Sequence, residues 1–361
     1  MKISVIGTVG VPGRYGGFET LVENLVRHHA ENRLPGALTV YCSRPAYPDA
    51  PPAYLSARLR YSRFRANGLQ SVPYDMLTLL DAVFRRADTL LLLGVSGAAI
   101  LPLIRLVSRA RIITNVDGIE WKRDKWRGLA KWFLRFSERM AVRYSHEVIA
   151  DNQGIADYIR KNYSTPCRVI AYGGDHALSE APVPITGLEI PDSYAFALCR
   201  IEPENNVEMI LDAVSALPAQ HLVFVGNWKN SAFGQTMLAR FGKQPNLHLL
   251  DPIYELGKLR TLRAGAEVYI HGHSAGGTNP SLVEMMHFGL PVLAFDCVFN
   301  RYTTDGEAAY FGDAEGLAHQ LSKMAPEKAA TIGANMARLA QARYTWAKVG
   351  EAYFDLMTGE K

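Results

Sequence analysis

The stretch from His271 to Asp296, HGHSAGGTNPSLVEMMHFGLPVLAFD, places small residues, a proline and an acid at spacings that suit the binding of a phosphorylated ligand. It follows an expected strand, Glu267–Ile270. The segment GGTN, residues 276–279, is expected to form a tight loop, and Pro280 to occupy the first turn of a helix, where its missing N–H costs little. This arrangement predicts a strand, a loop and a helix with the loop at the carboxyl end of a sheet.

The start of that helix is where anion chemistry is expected. Backbone N–H groups near Ser281 and Leu282 would point at a diphosphate, because the first turn of a helix leaves such donors unbonded. Glu284 lies four residues after Pro280, where a carboxylate could accept hydrogen bonds from ribose hydroxyls. A helix-capping acid would explain Glu284 equally well, since the helix dipole favours negative charge there.

Arg200 closes a second expected strand, Tyr194–Leu198, and precedes the segment IEPENN. A guanidinium at the carboxyl end of a strand can clamp a phosphate with paired donors. Several acids lie near it in sequence, so an ordinary surface ion pair remains the alternative.

A glycine-rich segment follows the first expected strand, Ile3–Ile6, and contains Gly7, Gly10, Gly13, Gly16 and Gly17. Glycine lets the backbone approach a ligand closely, so contact with a phosphate or a sugar is expected. The spacing is neither GxGxxG nor GxxxxGK[ST], so dinucleotide-binding and P-loop proteins are not favoured. A loop that needs only flexibility is the alternative.

Asp117 and Glu120 follow the expected strand Arg111–Asn115 and are the candidate catalytic acids. Asp117 is expected to contact the acceptor or the donor sugar, and Glu120 is the second candidate. Capping of the next helix would also explain both acids. His271 and His273 form an HxH pair, which supplies only two metal ligands, so no metal site is predicted. His273 is expected to bond a sugar or a phosphate instead.

Strands and helices alternate along the whole chain, and this alternation predicts the fold. Continuous apolar runs such as Leu90–Leu93 suit strands covered on both faces. Residues 176–192, rich in proline, resemble a linker, and the pattern restarts after them. We therefore predict an α/β protein with two Rossmann-like doubly wound domains: residues 1–175, then 193–344, with ligands in a cleft at the carboxyl ends of the strands.

Charge is distributed unevenly between the two predicted domains. Residues 1–175 contain 25 Lys and Arg against 15 Asp and Glu, although the whole chain has a formal net charge of only +4. Four cysteines without CxxC spacing favour a reducing cytoplasm over a disulfide or zinc scaffold.

One segment interleaves aromatic and basic side chains. Its members are Trp121, Lys122, Arg123, Lys125, Trp126, Arg127, Lys131, Trp132, Phe133, Arg135, Phe136, Arg139 and Arg143. A second basic stretch runs over residues 58–65. Such mixtures suit the interface of an anionic membrane, and an amphipathic core helix with a solvated basic face is the alternative. Nucleic acid is not an expected partner, because no module for it is recognisable.

Taken together, these segments resemble the retaining glycosyltransferases of the GT-B fold, the large family that includes sucrose synthases. The resemblance rests on IGTVGVPGRYGGFETLVENL, CRIEPENN, GGTNPSLVEMM and the closing YTWAKVGEAYFDLM. With DGIEWKRDKW, the set is similar to a narrower group, the rhamnosyltransferase-like enzymes of bacterial polysaccharide synthesis. The resemblance implies a last helix, residues 345–361, that crosses back to the first domain.

The resemblance also implies roles for particular residues. Arg200 would bind the donor diphosphate and Glu284 the ribose, while Gly16 and Gly17 would face phosphate and acceptor. The family's usual Lys and first Glu are replaced by Asn205 and Gly276, and Asn205, His273, Thr278 and Asn279 would substitute. The implied donor-binding set is Gly16, Gly17, Arg200, Asn205, Ile253, Tyr254, His273, Gly277, Thr278, Asn279, Ser281, Leu282 and Glu284.

The function implied is the metal-independent, retaining transfer of a sugar, with L-rhamnose from dTDP-L-rhamnose as the best candidate. The acceptor would be a lipid-diphosphate-linked saccharide at the cytoplasmic membrane surface, and no cofactor is needed. Two other functions stay open: a non-catalytic nucleotide-sugar-binding subunit of an assembly complex, and a nucleotide-sugar epimerase.

Overall fold

The computed structural model describes residues 1–13, 16–119, 121 and 128–359. The chain divides into two compact units. The first unit comprises residues 1–172 and 346–361, and the second comprises residues 173–345. Within the described ranges, no helix is both long and apolar enough to cross a bilayer.

The first unit is built around an eight-stranded sheet. Its elements are β1 (Lys2–Ile6), α1 (Gly17–Glu31), β2 (Ala37–Ser43), β3 (Ala53–Tyr54), β4 (Ala57–Ser62), α2 (Ser71–Phe84), β5 (Thr89–Leu93), α3 (Leu101–Val107), β6 (Arg111–Asn115), α4 (Gly128–Tyr144), β7 (Glu147–Ala150), α5 (Gln153–Tyr163), β8 (Arg168–Val169) and the C-terminal α13 (Trp346–Thr358). The strand order is β3-β4-β2-β1-β5-β6-β7-β8. β3 pairs antiparallel with β4, and the other neighbours run parallel.

The second unit has a six-stranded parallel sheet. Its elements are β9 (Ala195–Cys199), α6 (Val207–Ser215), β10 (Leu222–Gly226), α7 (Ala232–Phe241), β11 (Leu247–Leu250), α8 (Leu256–Ala264), β12 (Val268–His271), α9 (Pro280–Met286), β13 (Val292–Phe295), α10 (Val298–Thr303), β14 (Ala309–Phe311), α11 (Ala314–Lys323) and α12 (Pro326–Arg343). The strand order is β11-β10-β9-β12-β13-β14.

Both sheets reverse their strand order beside the first strand of the unit. In the second unit β9 lies between β10 and β12, and in the first unit β1 lies between β2 and β5. Open α/β sheets bind ligands at the carboxyl ends of the strands at this reversal. The two positions that matter are therefore the loops after β1 and β5 in one unit and after β9 and β12 in the other.

Two Rossmann-like parallel α/β units confirm the fold predicted from the sequence. The run Thr89–Leu93 is fully buried, as a strand covered on both faces must be. The predicted strands recur within one or two residues of their expected bounds. The sequence analysis did not predict β3, β4 and β14, nor the helices α2, α3, α5, α7, α10 and α12.

The last helix, α13, belongs to the first unit. It packs against α1, where His28 stacks on Phe354 with ring centroids 5.9 Å apart. The hydroxyl of Thr89 donates a hydrogen bond of 3.0 Å to the carbonyl of Met357. The C-terminal segment therefore completes the core of the domain that contains the N-terminus.

Two segments differ from what their composition suggested. The basic stretch at residues 58–65 contributes most of β4, and Arg60 pairs with Asp81 at 3.1 Å. Alternation of exposed Arg58 with buried Leu59 is the pattern of a strand. The expected linker begins inside the second unit, where Arg260 of α8 donates hydrogen bonds to the carbonyls of Leu178 and Glu180.

Candidate functional site

The loop after β9 carries Arg200, whose side chain is 47% exposed and lies 3.8 Å from the Glu202 carboxylate. Asn205, predicted to contact the donor, is buried and its side-chain amide donates a 2.7 Å hydrogen bond to the carbonyl of Arg200. In this position Asn205 closes the turn that presents Arg200. The long distance to Glu202 leaves the guanidinium able to turn towards another anion.

This loop is fastened to the loop after β12. The side-chain amide of Asn206 donates to the carbonyl of Gly272 at 2.8 Å, and the N–H of Ser274 donates to the carbonyl of Glu204 at 3.0 Å. A Cβ at Gly272 would lie 2.2 Å from the carbonyl oxygen of Asn205, so only glycine allows this approach. The structure thus brings Arg200 and residues 272–279 together at the reversal of the second sheet.

Residues 272–279 are hereafter called the β12 loop. Gly276 has φ +113°, and nothing lies within 4 Å of a Cβ built there. The N–H groups of Gly276 and Gly277 donate to no protein acceptor among the residues that the structure describes. Thr278 is buried beside them. The loop therefore offers open amide donors next to Arg200, the arrangement that an anion requires.

The N-terminus of α9 is capped by Asn279. Its side-chain oxygen accepts from the N–H of Ser281 at 3.0 Å and from the hydroxyl of Ser281 at 2.8 Å. The N–H of Ser281, one of those predicted to point at a diphosphate, is therefore already bonded within the protein. Leu282 is fully buried and packs in the core with its side chain.

Two histidines stack at the carboxyl end of β12. The rings of His271 and His273 are 4.5 Å apart and nearly parallel. Burial and the neighbouring His273 lower the pKa of His271 well below its usual value, so its ring is neutral. The Nδ1 of His271 lies 3.2 Å from the Tyr269 hydroxyl, which donates to Ser281 Oγ at 3.1 Å. Since that hydroxyl proton is used, Nδ1 carries the imidazole proton.

Glu284 is held by two partners that the sequence analysis did not select. Arg263 Nη2 donates to Oε2 of Glu284, and His176 Nε2 lies 3.3 Å from Oε1. Burial would raise the pKa of Glu284, but Arg263 and His176 outweigh it and lower the pKa. Glu284 is therefore an ionised carboxylate, as an acceptor of hydroxyl donors must be.

The sequence pattern of α8 indicates that Arg263 is buried, whereas no local pattern singles out His176. Arg263 follows Leu259 by four residues, which places a charged side chain on the buried stripe of α8. His176 lies in a short 3-10 turn, Asp175–Leu178, within the segment expected to be linker. Ile253 and Tyr254 follow β11, and the Tyr254 side chain is 66% exposed there.

In the first unit, the glycine-rich loop after β1 is bonded to acids of α1. The N–H of Val9 donates to Glu19 Oε1 at 2.8 Å, and the N–H of Gly13 donates to Glu23 Oε2 at 2.8 Å. Gly16 has φ +132° and Gly17 begins α1. Two amides that an anion could have used are therefore already bonded to carboxylates.

Asp117 lies at the carboxyl end of β6 with φ +57°, a left-handed conformation that aspartate adopts more readily than most non-glycine residues. Its N–H donates to Asn115 Oδ1 at 2.9 Å, and Asn115 Nδ2 donates to the Tyr353 hydroxyl of α13 at 2.6 Å. The C-terminal helix thereby fixes the backbone that presents Asp117. Glu120 lies outside the described residues, as do Lys122, Arg123, Lys125, Trp126 and Arg127.

No cluster of three or more metal-ligating side chains occurs within the described ranges. The HxH pair has no third ligand there, and all four cysteines are free thiols. The chemistry available in the second unit is therefore that of amide donors, a guanidinium and an ionised carboxylate.

Comparison with known proteins assigns the two halves of the chain differently. Residues 193–326 match the family described as glycosyl transferases group 1. Residues 1–175 match a domain of unknown function, DUF1972. No curated protein matches the chain by sequence.

Solved structures share the fold at low sequence identity. Sucrose-phosphate synthase from Thermosynechococcus elongatus superposes with a TM-score of 0.84 at 15% identity, over 99% of this chain and 98% of the other. HepE of Anabaena, solved in complex with UDP, gives 0.72 at 14% identity over 99% and 100%. A glycosyltransferase from Rickettsia africae gives 0.70 at 12% identity over 99% and 97%. Residues 193–326 therefore match the glycosyl transferases group 1 family, and the whole chain has the GT-B-type fold.

Proposed function

We propose that this protein transfers a sugar, best assigned as L-rhamnose from dTDP-L-rhamnose, with retention of anomeric configuration and without a metal ion. The acceptor is a saccharide carried on a lipid diphosphate during the synthesis of a cell-surface polysaccharide. A nucleotide-sugar donor is supported by the group 1 match and by HepE, which was solved with UDP and with UDP-glucose.

One observation carries the proposal. Arg200 and the open amides of Gly276 and Gly277 lie in two loops, after β9 and β12, that are hydrogen-bonded to each other where the second sheet reverses, and Glu284 follows in α9. A guanidinium and amide donors can stabilise the charge that develops on a leaving diphosphate. We assign the diphosphate to these groups, the ribose to Glu284 and the base to Ile253 and Tyr254.

The reaction needs little side-chain chemistry in this scheme. The acceptor hydroxyl attacks the anomeric carbon on the face from which the diphosphate leaves, and the leaving phosphate oxygen takes the hydroxyl proton. The protein positions the reactants and stabilises charge. Asp117 contacts the acceptor, which is supported by its place at the carboxyl end of β6, the edge of a parallel sheet where ligands bind.

Gly276 replaces the first glutamate of the family pattern, and its geometry suggests a reason. With φ +113°, a glutamate there would be strained although space is available. We assign the hydrogen bonds to the transferred sugar to His273, Thr278 and Asn279 instead. Asn205 acts on the donor through the turn that it closes behind Arg200.

The membrane assignment is supported by the exposed face of α4. Trp132 is 65% exposed and stacks on Phe136 with centroids 5.8 Å apart, and Leu129 is 85% exposed. A surface groove of about 1490 Å³ is lined by residues of α4 and α5. Arg135, Arg139, Arg143 and Lys161 line it and form no ion pair with any described residue.

Such a surface suits an anionic bilayer. Aromatic side chains favour the interface, and each of four basic groups would contribute about 1 kcal/mol near an anionic leaflet. We therefore propose a cytoplasmic protein that attaches to the inner face of the cell membrane, where a lipid-linked acceptor is located. Sedimentation with vesicles containing phosphatidylglycerol tests this. Binding should weaken steeply with salt, and equal binding to neutral vesicles would contradict it.

The function is tested with the purified full chain and a synthetic lipid-diphosphate-linked saccharide. We expect transfer from dTDP-L-rhamnose in preference to UDP-glucose and GDP-mannose, the donor's anomeric configuration in the NMR spectrum of the product, and unchanged activity with a chelator. Binding of the donor without transfer to any acceptor would favour the non-catalytic subunit. Interconversion of the donor without an acceptor would favour the epimerase.

A further inference from the structure

Arg263 lies behind Glu284 and is itself closed off from solvent. Its side chain is 2% exposed, whereas that of Glu284 is 13% exposed. Arg263 is the penultimate residue of α8 and projects from the same face as Leu259 and Leu262. A ligand can therefore reach the carboxylate and not the guanidinium, so that Arg263 acts on a ligand only through Glu284.

The buried Arg263–Glu284 pair is expected to contribute little net free energy to the stability of the core. Within the described part of the chain, Nε and Nη1 of Arg263 have no hydrogen-bond partner. A buried donor left unsatisfied costs about 1–3 kcal/mol. Buried ion pairs can often be replaced by apolar side chains with little loss of stability. The arrangement is better explained by what it does to the carboxylate.

His176 approaches the carboxylate from a rigid position. The residue two before it, Gly174, lies so close to α9 that a Cβ there would be 2.5 Å from the Val283 carbonyl oxygen. The N–H of Gly174 also donates to the carbonyl of Tyr344 at 2.8 Å. The turn that carries His176 is therefore packed against the helix that carries Glu284.

Arg263 and His176 contact different oxygens of the Glu284 carboxylate. Arg263 bonds Oε2 and His176 is nearest to Oε1, so each oxygen has one partner among the residues that the structure describes. A carboxylate accepts about four hydrogen bonds, two at each oxygen. Each oxygen can therefore still accept one hydrogen bond from a ligand, while Arg263 and His176 fix the plane of the carboxylate. This geometry matches the hydroxyls on one edge of a nucleotide sugar.

We propose that Arg263 and His176 are positioning residues that fix Glu284 so that the site selects nucleotides by the 3′-hydroxyl of their ribose or deoxyribose. The inference rests on the proposed function, because it takes Glu284 as the ribose contact. It adds to the donor site two residues that act through Glu284, and the more deeply buried of them, Arg263, is closed off from the donor. The 3′-hydroxyl is common to ribose and deoxyribose donors, so the proposal holds for either base.

The test is isothermal titration calorimetry with dTDP against 2′,3′-dideoxythymidine diphosphate, and with UDP against 3′-deoxy-UDP. A hydrogen bond to a charged group contributes about 1.5–3 kcal/mol, so the wild-type chain should prefer the 3′-hydroxyl nucleotide by about 10- to 100-fold. Arg263→Gln and Glu284→Gln should each reduce this preference to about twofold. His176→Gln should reduce it partly, and Arg263→Lys should retain more of it than Arg263→Gln.

Arg338→Gln is the matched control, because Arg338 pairs with Glu307 at 2.9 Å on the exposed surface of the same unit. It should leave the preference unchanged. If Arg263→Gln weakens both nucleotides equally, or if the preference survives in Arg263→Gln and His176→Gln but not in Glu284→Gln, the inference is overturned and the proposed function stands. A wild-type chain that binds neither nucleotide would overturn the proposed function. If Arg263→Gln does not fold, the test is made with Arg263→Lys and His176→Gln. An undiminished preference for the 3′-hydroxyl in both variants would then overturn the inference.

Discussion

Two glycine-rich loops lie at the reversals of strand order, one after β1 in the first sheet and one after β12 in the second, and they use their amides in opposite ways. In the loop after β1, the N–H groups of Val9 and Gly13 are bonded to carboxylates of α1. In the β12 loop, the N–H groups of Gly276 and Gly277 have no protein acceptor among the described residues. Glycine content alone therefore does not distinguish an anion site from a loop that is closed on itself.

This difference between the amides of the two loops indicates which loop is expected to bind an anionic ligand. Glu19 and Glu23 place negative charge beside the first loop, which disfavours phosphate there and favours hydroxyl groups. Burial raises the pKa of Glu19, and Val9, Glu19's own N–H and Thr8 oppose that shift through hydrogen bonds. The β12 loop instead has Arg200 beside it and no such acid bonded to Gly276 or Gly277. We therefore assign the donor diphosphate to the second unit and keep Gly16 and Gly17 as a prediction for acceptor contact.

The largest expected effect comes from Arg200. Arg200→Ala removes the guanidinium assigned to the leaving diphosphate, so kcat/KM for transfer should fall by about 100-fold or more, or about 2.7 kcal/mol. Its side chain is exposed, so the melting temperature should change little. Glu202→Gln removes the nearby acid as a control and should retain activity. Full transfer activity in Arg200→Ala would contradict the assignment of Arg200 to the leaving diphosphate.

Gly16 and Gly276, which both have positive φ, give a paired test of the two loops. Gly16→Ala should destabilise the protein by more than about 3 kcal/mol, because a Cβ would lie 1.9 Å from Glu19 Oε2 in addition to the backbone strain. Gly276→Ala should cost only about 1–2 kcal/mol, since nothing lies near its Cβ. Urea denaturation monitored by circular dichroism measures both. Equal losses would show that the first loop is not closed on its acid.

Acid should destabilise the second unit through His271. Its folded pKa is depressed, so below the unfolded value of about 6.5 the unfolded state binds more protons and stability falls. His271→Asn, which keeps a donor for the Tyr269 hydroxyl, should lose about 1 kcal/mol less than wild type between pH 6.5 and 5.5. Denaturant titrations at the two pH values test this, with the exposed His319→Asn as control. Parallel losses in wild type and His271→Asn would mean that His271 is not buried as a neutral ring.

The smallest expected effect is that of Glu19→Gln, which tests whether the loop after β1 can also bind phosphate. Glu19→Gln keeps the side-chain shape and removes the charge that the Val9 amide bonds, so it should cost about 1 kcal/mol of stability. Nucleotide affinity measured by calorimetry should stay within about twofold of wild type. Strongly tightened nucleotide binding would show that the first loop also contacts phosphate once its acid is neutral.

Much of this arrangement was predictable from the sequence, and the remainder depended on long-range contacts. Leu90–Leu93 and the GGTNP segment indicate a buried strand and a loop before a helix from local pattern alone, and the fold prediction was confirmed. The partners of a side chain are different, because they come from distant segments. Arg263 and His176 are separated by 87 positions in the chain and meet only at Glu284.

Other polar side chains also depend on contacts that the local sequence does not reveal. Residues 58–65 have the composition of a basic surface stretch, but Arg60 is paired with Asp81 of α2, a contact that composition does not reveal. Asn205 seemed a substitute for a charged donor contact, yet its amide is used to close the turn behind Arg200. Local sequence predicts elements, whereas the use of each polar group is decided by which elements become neighbours.

The most direct test of the central claim is amide hydrogen exchange with and without a nucleotide-diphosphate sugar, analysed by peptide. The donor should slow exchange in peptides that cover the β12 loop and the turn after β9, and should leave the peptide containing Val9 and Gly13 unchanged, because those amides are already bonded. Protection confined to the loop after β1, with the β12 loop unchanged, would contradict the assignment of the donor to the second unit.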